Sequence, residues 1–337
     1  VLEIRRREQT FANRENRYTT ALLNSKLFRI AQFGGDFSNA ESYCSRATGI
    51  LDGLAESDTS NALYRITAAR FNQELADLQV SKDGGNVADS MERYRKAIAL
   101  ADSIPAEPAN AIAGADGLSL NEKILSVTQM AYKRIGQRHE LEGRSDEALE
   151  AYMNALKESE KLLAAGNPRK PQAEVVVAIA LGNAGRLQAT TGAVNDGAEK
   201  IERGIATCEK AVQNDPKNVL ARSELALLHW NAGKVGLIRN NAANALKSFR
   251  KAADLQQELV ELNPKDLYNL ANLADTFTSI GSANAIQKNV AEAESFFKRS
   301  YEIWSGMKEK GMLPGYYSHK PQEVLTLLQR ASDRHRS

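Results

Sequence analysis

Apolar residues recur every third or fourth position along nearly the whole chain, the period of one face of an α-helix. Residues 1–33 read as one long helix, with Tyr18, Leu22, Leu23, Leu27, Ile30 and Phe33 as its later apolar stripe. Gly34 and Gly35 break it, and Asp36 or Ser38 is placed to cap a second helix that runs to about Ala55. A third helix is predicted from about Asn61 to Lys82, ended by Asp83-Gly84-Gly85, with a partner from about Val87 to Ser103. Residues 104–120, rich in proline, glycine and alanine, form the one long irregular connection. Gln129 to Leu162 reads as two antiparallel helices meeting at Gly143, and Gly166-Asn167-Pro168 ends that hairpin. The next hairpin spans about Gln172–Gln213 and turns at Thr191-Gly192. Pro216 and Pro264 are expected in the first turns of the fifth and sixth units, where a missing N–H has no helical partner. Gly311 and Pro314-Gly315 end the last of these, and a final helix over about 321–333 is placed to cover the end of the array.

One small–large–small pattern repeats through this helical text. Gly136 is followed by Ala148, Tyr152 and Ala155, Gly233 by Ala245, Phe249 and Ala252, and Gly281 by Ala293, Phe297 and Ser300, at identical offsets. Gly185 with Gly197, Ile201 and Gly204 is a weaker copy. Ser90, Tyr94 and Ala97 match with Leu78 in the glycine position, and Ala40, Cys44 and Ala47 match with Phe28 there. The marker in each second helix falls at positions 40, 90, 148, 197, 245 and 293, so successive intervals are 50, 58, 49, 48 and 48 residues. A small residue lets two helices approach to about 8–10 Å, and the aromatic fills the space beside it.

The pattern resembles the tetratricopeptide (TPR) repeat, a helix–turn–helix unit with a small residue in helix A and A-x3-F in helix B. That unit is about 34 residues, so these are long copies, with helices expected at about 20 residues, or about 30 Å. The expected fold is all-α: a right-handed superhelical solenoid of about six long TPR-like hairpins with a C-terminal capping helix. The repeats fall roughly at 10–56, 57–104, 121–166, 171–214, 215–263 and 264–311, in a single solenoid over 1–337.

Composition changes little in this picture. The 337 residues are 42% hydrophobic and 26% charged, ordinary values for a globular chain, and the 8 prolines are few. A net charge of +2 gives no argument for nucleic acid, so none is expected as a partner. Arg5, Arg6 and Arg7, beside Glu3 and Glu8, read as a solvated helix face. Cys44 and Cys208 are expected to be buried, reduced thiols, too far apart in the array for a disulfide. No apolar run is long enough to span a membrane. The chain begins at Val1 without Met and reads as part of something longer, with no signal peptide in view.

A search for catalytic constellations finds none. His139, His229, His319 and His335 show no metal-ligand spacing, and C-x-x-C, G-x-S-x-G, Walker and dinucleotide motifs are absent. No cofactor or metal is expected, and an enzyme would need a deep pocket with facing carboxylates or a His–Asp pair. Function is then expected on a surface. By the TPR resemblance, stacked A helices line a concave face that holds a protein or peptide, and the residue two before the repeat glycine and the one after it face that groove. Those positions hold Asn183 and Arg186 in one repeat, Asn231 and Lys234 in the next, and Arg134 and Gln137 in the central one; they fade to Ser279 and Ser282 in the sixth. An asparagine amide can donate to and accept from a peptide backbone, the cations suit an acidic or C-terminal carboxylate, and Trp230 is one turn from Lys234 as an aromatic anchor. His229 beside it reads as structural or groove-lining.

Three stretches carry a closer resemblance: AVQNDPKNVLARSELALLHWNAGKV with ADLQQELVELNPKDLYNLANLADTFTSIGSA, the ending SYEIWSGMKEKGMLPGYYSHKPQEVLTLLQRA, and the start EIRRREQTFANREN. They resemble the TPR-containing C-terminal region of bacterial, acidobacteria-like transmembrane serine/threonine protein kinases. The resemblance implies a non-catalytic sensor or scaffold half of a receptor kinase, with a membrane span N-terminal to this chain and an extracytoplasmic location. Without it, the cytoplasm is the expectation, and arginines directly after a span also favour the cytoplasmic side. No kinase motif is present in this chain. The alternative function is a self-association scaffold that forms homo-oligomers through its ends or convex side.

Overall fold

The computed structural model describes residues 2–33, 36–81, 87–105, 118–164, 170–313 and 317–336, which form thirteen helices and no strand among them. The Gly34-Gly35 break, Gly84-Gly85, most of the 104–120 connection, Gly166-Asn167-Pro168 and Pro314-Gly315 lie outside the described residues, as do the side chains of Arg5 to Arg7 and of His335. The chain divides into two compact units, Val1–Asn167 and Pro168–Ser337.

In the first unit, α1 (Leu2–Phe33) packs on α2 (Phe37–Ser57), α3 (Ala62–Ser81) on α4 (Val87–Asp102), and α5 (Leu120–Leu141) on α6 (Ser145–Ala164). Odd-numbered helices are the A helices of successive hairpins and even-numbered ones the B helices. Each hairpin also packs on the next through α2 with α3 and α4 with α5. The marker residues Ala40, Ser90 and Ala148 are fully buried. In the central hairpin a Cβ added at Gly136 would lie 2.6 Å from the Tyr152 ring, so only glycine admits the ring at this crossing. The chain turns through Gly143 at φ +74°, a left-handed position, and the Arg144 N–H closes the helix end on the His139 carbonyl at 2.8 Å.

The first two hairpins solve the same crossing differently. Phe28 takes the glycine position and Cys44 the aromatic one, so large and small have exchanged sides within one buried cluster. In the next hairpin Leu78 replaces the glycine, and the Tyr94 hydroxyl donates to Asp77 at 2.6 Å. A polar knot ties α2, α3 and α4: Asp52 accepts from the fully buried Asn72 amide at 2.7 Å and from the Lys96 ammonium at 2.6 Å.

The second unit repeats the hairpin three times: α7 (Lys170–Thr190) with α8 (Val194–Asn214), α9 (Val219–Ile238) with α10 (Ala242–Leu262), and α11 (Leu267–Ile286) with α12 (Val290–Glu309). These helices are 20 or 21 residues long, as the extended repeat period requires. Added Cβ atoms at Gly233 and Gly281 would lie 2.4 Å from Phe249 and 2.7 Å from Phe297. The weaker copy has the closest backbone approach, because Gly185 and Gly197 face each other and an added Cβ at Gly197 would meet the Gly185 carbonyl at 2.4 Å. The capping helix, α13 (Lys320–Arg336), packs on α12 and covers Trp304 and Phe297 through Val324 and Ala331; it extends beyond the predicted end.

Pro216 and Pro264 do not sit in first helical turns. Each lies just beyond the end of a B helix inside a tight turn, closed by Asn218 N–H to the Asp215 carbonyl at 3.0 Å and by Asp266 N–H to the Asn263 carbonyl at 3.1 Å. Proline presets φ for the second position of such a turn. The helices start later because Asn218 and Asp266 supply side-chain caps to Ala221 and Asn269, each within 3.1 Å. Cys44 and Cys208 are buried free thiols, and burial pushes both up to about 12.

Candidate functional site

Each predicted site residue lies on an A helix, with differing surroundings. In the first unit Arg134 on α5 is engaged: its guanidinium pairs with Asp77 of α3 at 3.0 Å and donates to the Gln137 amide oxygen at 3.1 Å. This pair therefore links consecutive A helices, and both side chains are half-buried. Asn183 and Arg186, on α7, are also half-buried, and Arg186 is engaged in an interaction of its own.

The second unit assembles Trp230 and Lys234. The Lys234 ammonium stands 5.3 Å from the centre of the Trp230 ring, within cation–π range. The Trp230 indole N–H donates to the Ser279 hydroxyl of α11 at 3.1 Å, so the aromatic bridges successive A helices and is held in one orientation. Residues three or four apart extend this face along α9, from Leu220 through Ser223, Leu227, Trp230 and Lys234 to Ile238, all exposed or half-buried. On α11 the matching line carries Tyr268, Asp275, Thr278, Ser282 and Ile286. Asp275 is paired with Lys320 of α13 at 3.1 Å; burial pushes its carboxyl above the usual range against the pull of that lysine.

Asn231 departs from expectation. It is 4% exposed, and its side-chain oxygen has no hydrogen-bond partner among the described residues, so it is not displayed to a ligand at the surface. The equivalent Arg134, Asn183 and Ser279 are half-buried, so full burial is particular to Asn231.

His229 turns away from Trp230 into a separate cleft of about 500 Å3 between α8, α9 and α10. Its lining includes Glu202, Arg239, Lys247 and Lys251 around Ile201, Ile205 and Val235. Burial, aided by Lys251, pushes the His229 imidazole down to about 4, so it is neutral at pH 7. The first unit has the corresponding cleft between α4, α5 and α6, lined by Arg95, Asp102, His139, Arg144, Glu147 and Glu150. Neither cleft was legible as a motif, because its members come from three helices. Lys247 and Lys251, like charges one turn apart, were the available signal, since that spacing is unfavourable without a counter-charge. Among the described residues no group of three or more His, Cys, Asp or Glu side chains converges as a metal site. No described helix is long and apolar enough to cross a membrane.

No protein-family model matches the chain, and no curated protein matches it. Solved structures do. The chain is similar to BtubC (BKLC) from P. vanneervenii, with a TM-score of 0.59 at 18% identity over 83% of this chain and 94% of that one. The apo form of RapI follows with a TM-score of 0.53 at 13% identity, covering 95% and 99% of the two chains. The S. pombe nuclear import adaptor Nro1 gives a TM-score of 0.51 at 13% identity, covering 94% and 99%. These neighbours are TPR-like helical-repeat proteins, and at such identities the likeness establishes an all-α, TPR-like repeat fold.

Proposed function

We propose that this chain is a non-catalytic protein-interaction module whose A-helix face holds a segment of a partner protein. The observation that carries the reading is the patch formed by Trp230, Lys234 and Ser279 on α9 and α11. A tryptophan fixed by an indole hydrogen bond offers a large contact surface at little conformational cost, and such aromatics dominate binding energy at interfaces. Lys234 adds an exposed ammonium that favours an acidic side chain or a chain-terminal carboxylate. Exposed Leu220, Ile238, Tyr268 and Ile286 extend the patch with apolar surface at both ends of the two helices. One protein of similar fold, Nro1, is named as a nuclear import adaptor, a role that fits this reading. The setting we favour, a sensor or scaffold part of a larger signalling protein, rests on the resemblance of three sequence stretches to receptor serine/threonine kinases alone.

The test is a peptide-display selection against the purified chain, run in parallel on the Trp230→Ala/Lys234→Glu variant. The reading expects a motif containing an acidic group that the variant does not enrich. Equal enrichment by both proteins would remove the A-helix face of the second unit as the site.

One observation favours a second reading. On α1 the side chains of Leu23, Leu27 and Ile30 are 55%, 42% and 68% exposed and share one helix face. An apolar stripe of this kind suits self-association, as in a scaffold that pairs attached enzymes. Sedimentation velocity across concentrations decides it: a concentration-dependent dimer abolished by Leu27→Glu/Ile30→Glu supports the scaffold, and a monomer throughout excludes it.

A further inference from the structure

The cleft around His229 is a second site, on the opposite side of α9 from Trp230. We propose that it binds a carboxylate carried on a short apolar group. Four observations point there. First, the cleft is built from three helices of one unit, about 500 Å3 in volume, a size that suits a small organic molecule or a chain end. Second, its ionisable lining is predominantly cationic, with Arg239, Lys247 and Lys251 against Glu202. Third, its interior wall is aliphatic, from Ala198, Ile201, Ile205, Ala232 and Val235. Fourth, His229 is 6% exposed and lines the cleft.

A ligand oxygen arriving in the cleft would meet the imidazole at its wall. The neutral imidazole offers one N–H donor and one acceptor. It therefore adds direction without adding charge, and the lysines supply the charge. Arg239 is held at the cleft edge by donation to Asn195 at 2.8 Å. Asn241 is occupied in capping α10 through the Asn244 N–H at 3.1 Å, so the cations left to meet a ligand are Lys247 and Lys251, with His229, Asn244 and Ser248 as uncharged polar groups of the same lining. Glu202 opposes a second negative charge, which selects a monocarboxylate over a dianion. The corresponding cleft of the first unit argues that this lining is particular to one site. Counting from the repeat marker, Lys247 corresponds to Glu150, Asn244 to Glu147 and His229 to Tyr132, so the same architecture there presents acids where this one presents a cation.

The carboxylate could belong to a free aliphatic acid or to the C-terminus of a peptide, and the experiment separates them. Side-chain NMR of the histidines would be followed while 4-methylpentanoate, its amide, and a leucine-terminated tripeptide with free or amidated C-terminus are added. The expected result is a saturable shift of the His229 signals by the acids, at least tenfold weaker binding by the amides, and weakening with added salt. Tighter binding by the tripeptide assigns the site to a chain terminus, and tighter binding by the free acid assigns it to a small molecule. Lys247→Glu/Lys251→Glu, at two exposed positions, should lower affinity at least tenfold with helicity unchanged, while Lys234→Glu should leave it as it is. Equal binding of acid and amide, indifference to the double charge reversal, or no response of His229 to any acid would overturn the proposal.

Discussion

Replacing Gly233 by alanine sets two opposing effects against each other at one position. Alanine in a helix interior is favoured over glycine by about 1 kcal/mol. The added methyl carbon, however, would lie 2.4, 2.5 and 2.8 Å from three carbons of the Phe249 ring. Carbon atoms attract best at about 3.5–4.0 Å, so the ring must retreat by about 1 Å. It has nowhere to go, because Phe249 is fully buried against Leu246, Leu273, Phe277 and Ile280. Overpacking of this kind costs about 1–3 kcal/mol, and the depth of the overlap places this case near the upper end. The net expectation is a loss of about 2 kcal/mol. Gly49, mid-helix in α2, supplies the control: a Cβ there meets nothing within 4 Å, so Gly49→Ala should gain about 0.5–1 kcal/mol. Urea unfolding followed by circular dichroism reads both midpoints. Combining Gly233→Ala with Phe249→Leu should recover at least about 1 kcal/mol relative to additivity, since the smaller side chain makes room. If Gly233→Ala stabilises the chain as Gly49→Ala does, the close-crossing account of the repeat is wrong.

Three further outcomes follow from the same structure. His229 is neutral in the fold with its titration pushed down to about 4, whereas the unfolded chain takes up the proton near the ordinary value of 6.5. Its contribution to stability is therefore complete above about pH 6.5 and is lost as pH falls towards 4, by up to about 2 kcal/mol after allowance for solvent at the cleft mouth. Melts of the wild type minus those of His229→Leu, at pH 7.5 and pH 5, should show that slope. Lys288 turns the chain after α11 at φ +63°, a conformation that favours glycine, so Lys288→Gly should stabilise by about 0.5–1 kcal/mol in thermal melts. Cys44 and Cys208, buried with thiols near 12, should resist a thiol-reactive dye in the native protein and react only once denaturant is added.

What could be read from the sequence was whatever is written within one hairpin. Gly136 with Tyr152, Gly233 with Phe249 and Gly281 with Phe297 are each separated by a constant offset, so the contact shows as periodicity. Phe28 with Cys44 is the same contact with sizes exchanged, so in the sequence it shows only as a copy with a large residue in the glycine position. Helix starts after Pro216 and Pro264 shifted because Asn218 and Asp266 make side-chain caps, a choice between two local hydrogen-bond schemes that position alone does not decide. Of the site residues, Trp230 and Lys234 are one turn apart and were legible as neighbours. The Ser279 anchor, the Asp77 partner of Arg134 and the burial of Asn231 depend on which side of one A helix the next one packs. The His229 cleft needed three helices in place before its charges met.

The proposal that the A-helix face of the second unit receives a partner can be tested by fluorescence, because the chain has 2 tryptophans. Trp304 is fully buried between α12 and α13, so a ligand on the A face should change the emission of Trp230 alone. Titration with a peptide recovered by selection should give a saturable change that is lost in Trp230→Phe and weakened about tenfold in Lys234→Glu. A saturable change that persists in Trp230→Phe, or tight binding that leaves the wild-type emission untouched, would place the partner elsewhere.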